Sequence, residues 1–537
     1  MMSGFFDLVI RGARILDGTG NPFFVRDVGI KDKQIAFIGK NLEGKRVVEA
    51  EGLFLCPGFV DIHNHVDHGV LAFPDAESYL MQGVTTSVVG NCGLSMAPID
   101  PARAELTRHY LAPFLRKEVE YGWEWRTLAE FFEKVEQGGI AQNLAPLVGQ
   151  GTIRIAVKGF DEGVPSSEEM AKMKNLLAQS LDEGAFGLTS GLIYPPGSYS
   201  TPEELLELTT VLKTHGGFYA THMRNEGDCL LESVAETLAL GEKNGIPIQI
   251  SHHKAVGKAN WGKVNESLKL MEAARERGLE VNCDVYPYQA GMTTLTALLP
   301  PTALEGGVGE MLKRLADPDE SRKIEQNIEK GIPGWENWIQ SLGWGNLVIS
   351  ECEARADYEG LSLENISRQN SSTPYRALFD LLLETQGNVT MLLFGVNEED
   401  LRTVVKSPLS CIASDSWVTA PRGGGKPHPR AYGTFPRFLK TYVRENGDLS
   451  WEDAIRKITS LPATKAGIAR RGLVQEGFFA DLVLFDPQFI GDKATFSDPH
   501  QFPVGIKHVI VNGELVLEDE QPTGLRPGKV LKRSACR

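Results

Sequence analysis

No stretch of this chain approaches the run of about 18 apolar residues that a membrane-spanning helix needs. The opening MMSGFFDLVIRGARIL is interrupted by charge too early for a secretory signal, so neither a membrane span nor export is expected. Cysteine is sparse: seven in 537 residues, at 56, 92, 229, 283, 352, 411 and 536, with no CxxC pair. An odd, scattered set argues against a disulfide framework and suits a reduced, cytoplasmic protein. Positive charge is in deficit, 55 Lys and Arg against 70 Asp and Glu, giving a net charge of −15. Such a surface repels nucleic acid and anionic lipid, so neither is an expected partner. Internal repeats and low-complexity tracts are also missing.

What remains is an ordinary globular composition, 42% hydrophobic and 23% charged, in a chain long enough for one large domain and a smaller one. The first fifty residues alternate like strands (7–11, 34–38, 46–50), separated by Gly- and Asp-rich turns. The C-terminus returns to that style with 480–485 and with 508–511 and 514–517, which flank Asn512-Gly513, a strong hairpin signal. Between these ends, short apolar runs (ending at Val60, then 85–89, 144–148, 186–189, 217–220, 247–250, 280–283, 346–349 and 410–413) alternate with amphipathic stretches. Ser166 to Glu169 and Thr201 to Glu204 have the spacing of capping boxes, the second with Pro202 at the first helical position. Strand and helix in alternation over about 400 residues predict an α/β fold of the (β/α)8, TIM-barrel type. The expected division is 1–57 and 466–537 for a terminal β domain, and 58–465 for the barrel. Residues 302–345 are too long for a simple loop and read as an inserted lid.

Barrel enzymes place their chemistry at the C-terminal ends of the strands. Here those ends read His63-Asn64-His65, Asn91-Cys92-Gly93, Thr221-His222, Ser251-His252-His253-Lys254 and Ser414-Asp415-Ser416. Taken singly, a strand-end histidine is usually a hydrogen-bonded structural residue, a buried cysteine a small hydrophobe and an aspartate a cap. Taken together, imidazoles, a thiolate and a carboxylate at one topological level form a zinc-compatible set.

Those ligand positions, with the motifs GNCG (90–93), THMRNEG (221–227), SHHK (251–254), YPYQAG (286–291), SDS (414–416) and HPRAYGTFPR (428–437), resemble the amidohydrolase superfamily. Within it, they are most similar to the zinc-dependent N-acyl-D-amino-acid deacylases. The resemblance covers nearly the whole chain and implies a (β/α)8 barrel with a small β-sandwich domain assembled from both ends. The lysine that many binuclear amidohydrolases carry after strand four is missing from Phe186-Gly187-Leu188-Thr189-Ser190-Gly191. In the deacylase branch a cysteine after strand two takes a ligand role instead, and Cys92 stands there.

The resemblance implies one tightly bound Zn2+ on Cys92, His222 and His252, with His63, His65 and Asp415 around it or forming a second, weaker site. It implies hydrolysis of a linear amide, with Asp415 taking a proton from water and passing it to the departing amine. Lys254, Tyr286 and Arg430 match family positions that hold the substrate carboxylate, and Tyr194 matches one near the scissile carbonyl. Met292, just after the glycine of YPYQAG, matches a position beside the substrate side chain, where arginine accompanies acidic substrates. Methionine there implies a preference for apolar D-amino acids. His253 is expected to point away from its neighbour His252. A cyclic-amide hydrolase of the dihydroorotase or hydantoinase type and a D-aminoacyl dipeptidase are the enzymatic alternatives, and a non-catalytic scaffold is the alternative from another class.

Overall fold

The computed structural model describes residues 5–116, 119–419 and 424–533. Both chain ends enter one nine-stranded sheet. The N-terminal strands Phe6–Ile15, Phe24–Lys31, Gln34–Gly39, Gly44–Glu49 and Phe54–Pro57 meet the C-terminal ones where Phe54–Pro57 pairs antiparallel with Leu482–Phe485. Hydrogen bonding thus gives a single sheet. Its apolar cluster mixes Ile10, Ile15, Val28 and Ile30 with Leu482, Leu484 and Ile510. The expected hairpin forms between Ile506–Val511 and Glu514–Glu518, with φ +48° at Asn512 and +82° at Gly513. Positive φ at both turn residues is what a tight twisted hairpin demands, and Asn-Gly supplies it with least strain.

The middle of the chain supplies parallel strands in sequence order. Phe59–Asp61, Val84–Val89 and Asn143–Pro146 form one sheet. Val148–Gly149, Gly187–Gly191, Phe218–His222, Ile248–Ile250, Val281–Val285 and Ser410–Ile412 form another. Only Leu147 separates the two sheets in the chain. At their far edges the Asp415 N–H donates to the His63 carbonyl (2.8 Å) and the His65 N–H to the Ser416 carbonyl (2.7 Å), so the first and last strands continue side by side. Helices such as Gln150–Lys158, Pro202–His215, Leu230–Asn244 and Val264–Glu276 lie between strands. The 166–169 capping box forms. Thr201 caps its helix by accepting from the Glu204 N–H, but the Glu204 carboxylate turns inward to the buried Arg154 (3.2 Å).

One expected strand belongs elsewhere. Leu347–Ile349 pairs antiparallel with Thr390–Phe394, which also pairs with Ala290–Thr294, in a separate three-stranded sheet. A short apolar run records burial but not which sheet buries it. The insertion is therefore longer than 302–345, because the parallel series resumes only at Ser410–Ile412. Its helices Val308–Ala316 and Pro318–Lys330 pack with this small sheet around Leu295, Met311, Ile328, Ile349, Leu378 and Met391.

Candidate metal centre

The site begins with a clamp between the first and last parallel strands. The buried Asp61 carboxylate accepts from the Ser414 N–H (3.0 Å), the Ser414 hydroxyl (2.5 Å) and the His63 N–H (3.3 Å). Burial pushes its pKa up to about 7 against those hydrogen bonds. The clamp brings Asp415 to the two histidines: its Oδ1 lies 3.3 Å from His63 Nε2 and 3.4 Å from His65 Nε2. Cys92 closes the group, with Sγ 3.2 Å from His63 Nε2. The same Sγ is 3.7 Å from His252 Nε2 and 4.0 Å from His222 Nδ1. Two sets of donors result, His63–His65–Cys92–Asp415 and Cys92–His222–His252, each with all its donor atoms within 4.8 Å of one another. Cys92 belongs to both.

Three of these residues hold backbone conformations that side-chain-bearing residues seldom adopt, with φ +54° at Cys92, +33° at His252 and +48° at Asp415. Such strain persists where the surroundings over-determine it, typically at functional sites. The surroundings here include backbone packed against backbone: a Cβ on Gly191 would collide with the Cys92 carbonyl.

Carboxylates orient the imidazoles from behind. Asp284 Oδ1 lies 3.1 Å from His63 Nδ1 and accepts the His252 N–H at 2.7 Å, while Oδ2 accepts from Gln249 (2.8 Å). Glu226 lies 2.9 Å from His252 Nδ1, 3.7 Å from His222 Nε2 and 2.6 Å from Lys254 Nζ. A carboxylate behind a ligating imidazole fixes its tautomer and direction. It leaves His252 Nε2 facing the thiol.

The charges are matched within this small volume. Burial raises the Cys92 thiol, but His63, His222 and His252 outweigh it and hold Cys92 well below the usual thiol range. Burial likewise opposes ionisation of Asp415, yet Arg430, 2.8 Å away, and His63 hold it well below the usual carboxylate range. Burial works against the His65 cation, but Asp415 and Cys92 raise its pKa to about 9. Two adjoining donor sets of thiolate, imidazole and carboxylate suit zinc.

A family model described as Amidohydrolase family matches residues 46–119 and 377–517. The D-aminoacylase of Alcaligenes xylosoxydans xylosoxydans is 34% identical over 99% of this chain and 98% of its own. The N-acyl-D-glutamate deacylase of the same organism is 32% identical over 98% of this chain and 97% of its own. The chain belongs to the D-aminoacylase branch of the amidohydrolase family. A crystal structure of the N-acyl-D-glutamate deacylase of Bordetella bronchiseptica, complexed with zinc and a phosphonate mimic of the tetrahedral intermediate, superposes with a TM-score of 0.82. Identity to it is 30%, covering 98% of this chain and 100% of that one.

In this D-aminoacylase relative the residues singled out from the sequence converge on one cavity. His65, Cys92, Tyr194, His222, His252, Lys254, Tyr286, Met292, Asp415 and Arg430 all line it. His63 lies deeper and is fully buried. His253 turns away, its Nε2 2.8 Å from the Ser267 hydroxyl on the following helix. The expected cationic cradle differs in one respect, because Lys254 is paired with Glu226 and Arg430 with Asp415. The Arg430 guanidinium sits 4.6 Å above the Tyr286 ring, with Nη1 2.8 Å from Asp415 Oδ2 and Nη2 3.4 Å from the Met292 carbonyl. The Tyr194 hydroxyl pairs with Thr293 Oγ1 at 2.8 Å.

Sequence reasoning missed Asp61, Glu226 and Asp284. Glu226 falls inside the quoted motif THMRNEG, where its place four residues after His222 was a usable signal. Asp284, in the middle of a strand, carried a weaker one: a carboxylate in a fully buried strand needs a partner. No helix among the described residues is long and apolar enough to cross a membrane.

Proposed function

We propose that this chain hydrolyses the amide bond of N-acyl-D-amino acids, releasing a carboxylic acid and a free D-amino acid, with zinc as its metal. The observation that carries this reading is the pair of donor sets sharing Cys92, set beside Lys254, Tyr286 and Arg430 in one cavity. Cys92, His222 and His252 would hold a tightly bound zinc, and His63, His65 and Asp415 a second, weaker one. When bound, zinc supplies Lewis acidity toward a carbonyl and makes water acidic enough to ionise near neutral pH.

The residues of the chain do the rest. Asp415, held ionised beside Arg430, accepts the proton of the attacking water on its carboxylate and returns it to the departing nitrogen. An amine leaves poorly as an anion, so that return is required. Lys254, Tyr286 and Arg430 take the substrate carboxylate. Tyr194, whose ring centroid lies 5.2 Å from that of His222, turns its hydroxyl toward the carbonyl oxygen.

The substrate side chain meets Met292, Val256, Trp338 and Leu393. Methionine cannot pair a carboxylate, and an acidic side chain would be desolvated there without compensation. Apolar D-amino acids are therefore the preferred class. The parallel strands act as a (β/α)8 barrel (58–465), the terminal sheet as a small β domain beside it (1–57 and 466–537), and the insertion that contributes Trp338 as a lid. The described cysteines are all free, which agrees with a cytoplasmic enzyme.

The deciding experiment is metal analysis of the purified protein with hydrolysis of paired N-acetyl-D- and N-acetyl-L-amino acids. Stoichiometric zinc and turnover confined to the D series are expected. Turnover of the L series, or of a hydantoin instead, would defeat the reading.

A further inference from the structure

A second cavity adjoins the one just described. Leu94, Phe114 and Tyr194 line both, forming a thin shared wall. Beyond that wall the interior is uncharged and largely apolar, with Phe160, Ala297, Leu304 and Val308 beside the hydroxyls of Tyr110, Thr294 and Thr296. No Asp, Glu, Lys or Arg side chain lines it among the described residues. Its lining also includes His109, Gln386 and Asn388, all exposed, so the cavity reaches from the shared wall toward solvent. One side comes from the end of the helix Ala104–Leu111 and the 3-10 turn Ala112–Phe114, and the other from the inserted segment, so this is a seam between barrel and insertion.

Substrate geometry decides which part of an N-acyl-D-amino acid faces this seam; the inference rests on the deacylase reading above. The Cα of the amino acid bears both the carboxylate and the side chain, so the side chain stays on the Lys254–Arg430 flank. Met292 belongs to that flank, its carbonyl 3.4 Å from Arg430 Nη2. The acyl substituent leaves the scissile carbonyl on the opposite side, the flank of Cys92, His222 and Tyr194. Leu94 follows Cys92 by two residues, and Phe114 stands between Trp417 and His68, with ring centroids 5.9 and 6.0 Å away. An acyl chain longer than acetyl therefore runs straight to the shared wall.

We propose that the second cavity is the acyl subsite, and that the enzyme's substrates carry linear medium-chain fatty acyl groups whose tails pass Leu94 and Phe114 into it. A largely apolar tube with a wet exit suits a hydrocarbon chain. It rejects succinyl or glutaryl groups, whose charge would find no partner inside.

The test uses the zinc-loaded enzyme and N-acetyl-, N-butanoyl-, N-hexanoyl- and N-octanoyl-D-leucine. The expected result is a kcat/KM that rises along the series, by up to about fourfold for each methylene buried. Ala297→Phe and, independently, Val308→Phe fill the second cavity without touching the metal centre. Each is expected to cut kcat/KM for the octanoyl substrate by about tenfold or more while the acetyl substrate stays within about twofold. A flat or falling series in the wild type, or variants that treat octanoyl as the wild type does, overturns the acyl subsite. If neither variant folds, product inhibition of N-acetyl-D-leucine hydrolysis decides: octanoate outcompeting acetate supports the subsite, and equal inhibition overturns it. Hydrolysis of the acetyl substrate alone sinks this proposal and spares the deacylase reading; hydrolysis of none sinks both.

Discussion

Lys254 Nζ lies 2.6 Å from Glu226 Oε2. The other oxygen of that carboxylate is 2.9 Å from His252 Nδ1, so one side chain touches both an imidazole of the proposed zinc set and a cation of the proposed substrate cradle. Glu226→Gln keeps the shape but lessens its hold on both. Zinc affinity, measured by chelator competition, is expected to fall by about 10- to 100-fold, with KM rising in parallel. Unchanged affinity would reduce Glu226 to a packing residue.

Cys92 sits in both donor sets. Cys92→Ala is expected to lose zinc and activity together, since binding depends on every ligand at once. Stoichiometric zinc with near-normal turnover would refute the assignment.

Asp415→Asn preserves volume but cannot accept the water's proton. We expect kcat to drop by about 10² or more while the tight zinc remains. A kcat within a few-fold of wild type would remove Asp415 from proton transfer.

Met292 is buried in the cavity wall, its sulfur 3.3 Å from the His428 N–H and 3.7 Å from the Ser350 hydroxyl. Wild-type enzyme should prefer N-acyl-D-Met, -Leu or -Phe over N-acyl-D-Glu and -Asp by kcat/KM. Met292→Arg should move that preference toward the acidic pair, with some loss of stability because a second guanidinium joins Arg430. A wild type that favours D-Glu would contradict this account of the pocket.

Glu336, on the insertion, accepts the Glu226 N–H at 2.9 Å. Burial first, and the Glu226 charge second, push its pKa from 4.5 up to about 7. The fold favours its protonated form. Its contribution to stability is therefore complete below about pH 4.5 and is lost as pH rises through about 7. Glu336→Gln keeps an acceptor and cannot ionise, so the Tm of the variant should fall less than that of the wild type between pH 5 and 8 (about the span of the shift). Parallel Tm curves would show that Glu336 does not titrate in this window.

The proposed ligand set was legible because each member occupies a similar local position, at the C-terminal end of a strand or within four residues after it. His63 and His65, two apart, and Cys92 in Gly90-Asn91-Cys92-Gly93 need no distant partner to be noticed. The Asn512-Gly513 hairpin and the Ser166 capping box were legible for the same reason: their interactions close within a few residues.

Other features depend on neighbours the sequence does not name. Leu347–Ile349 looks like one more parallel strand until its antiparallel pairing with Thr390–Phe394 is seen. Lys254 and Arg430 look like free cations until folding sets carboxylates beside them. By itself the sequence determined the kinds of chemistry available and the strand ends that carry them, because periodicity and ligand spacing are short-range. Only the tertiary structure decided that Asp61 ties the first strand to Ser414 and that Asp284 stands behind His63. A buried carboxylate is stabilised by whatever donors folding brings to it, and here those donors come from other strands, in the case of Ser414 353 residues away.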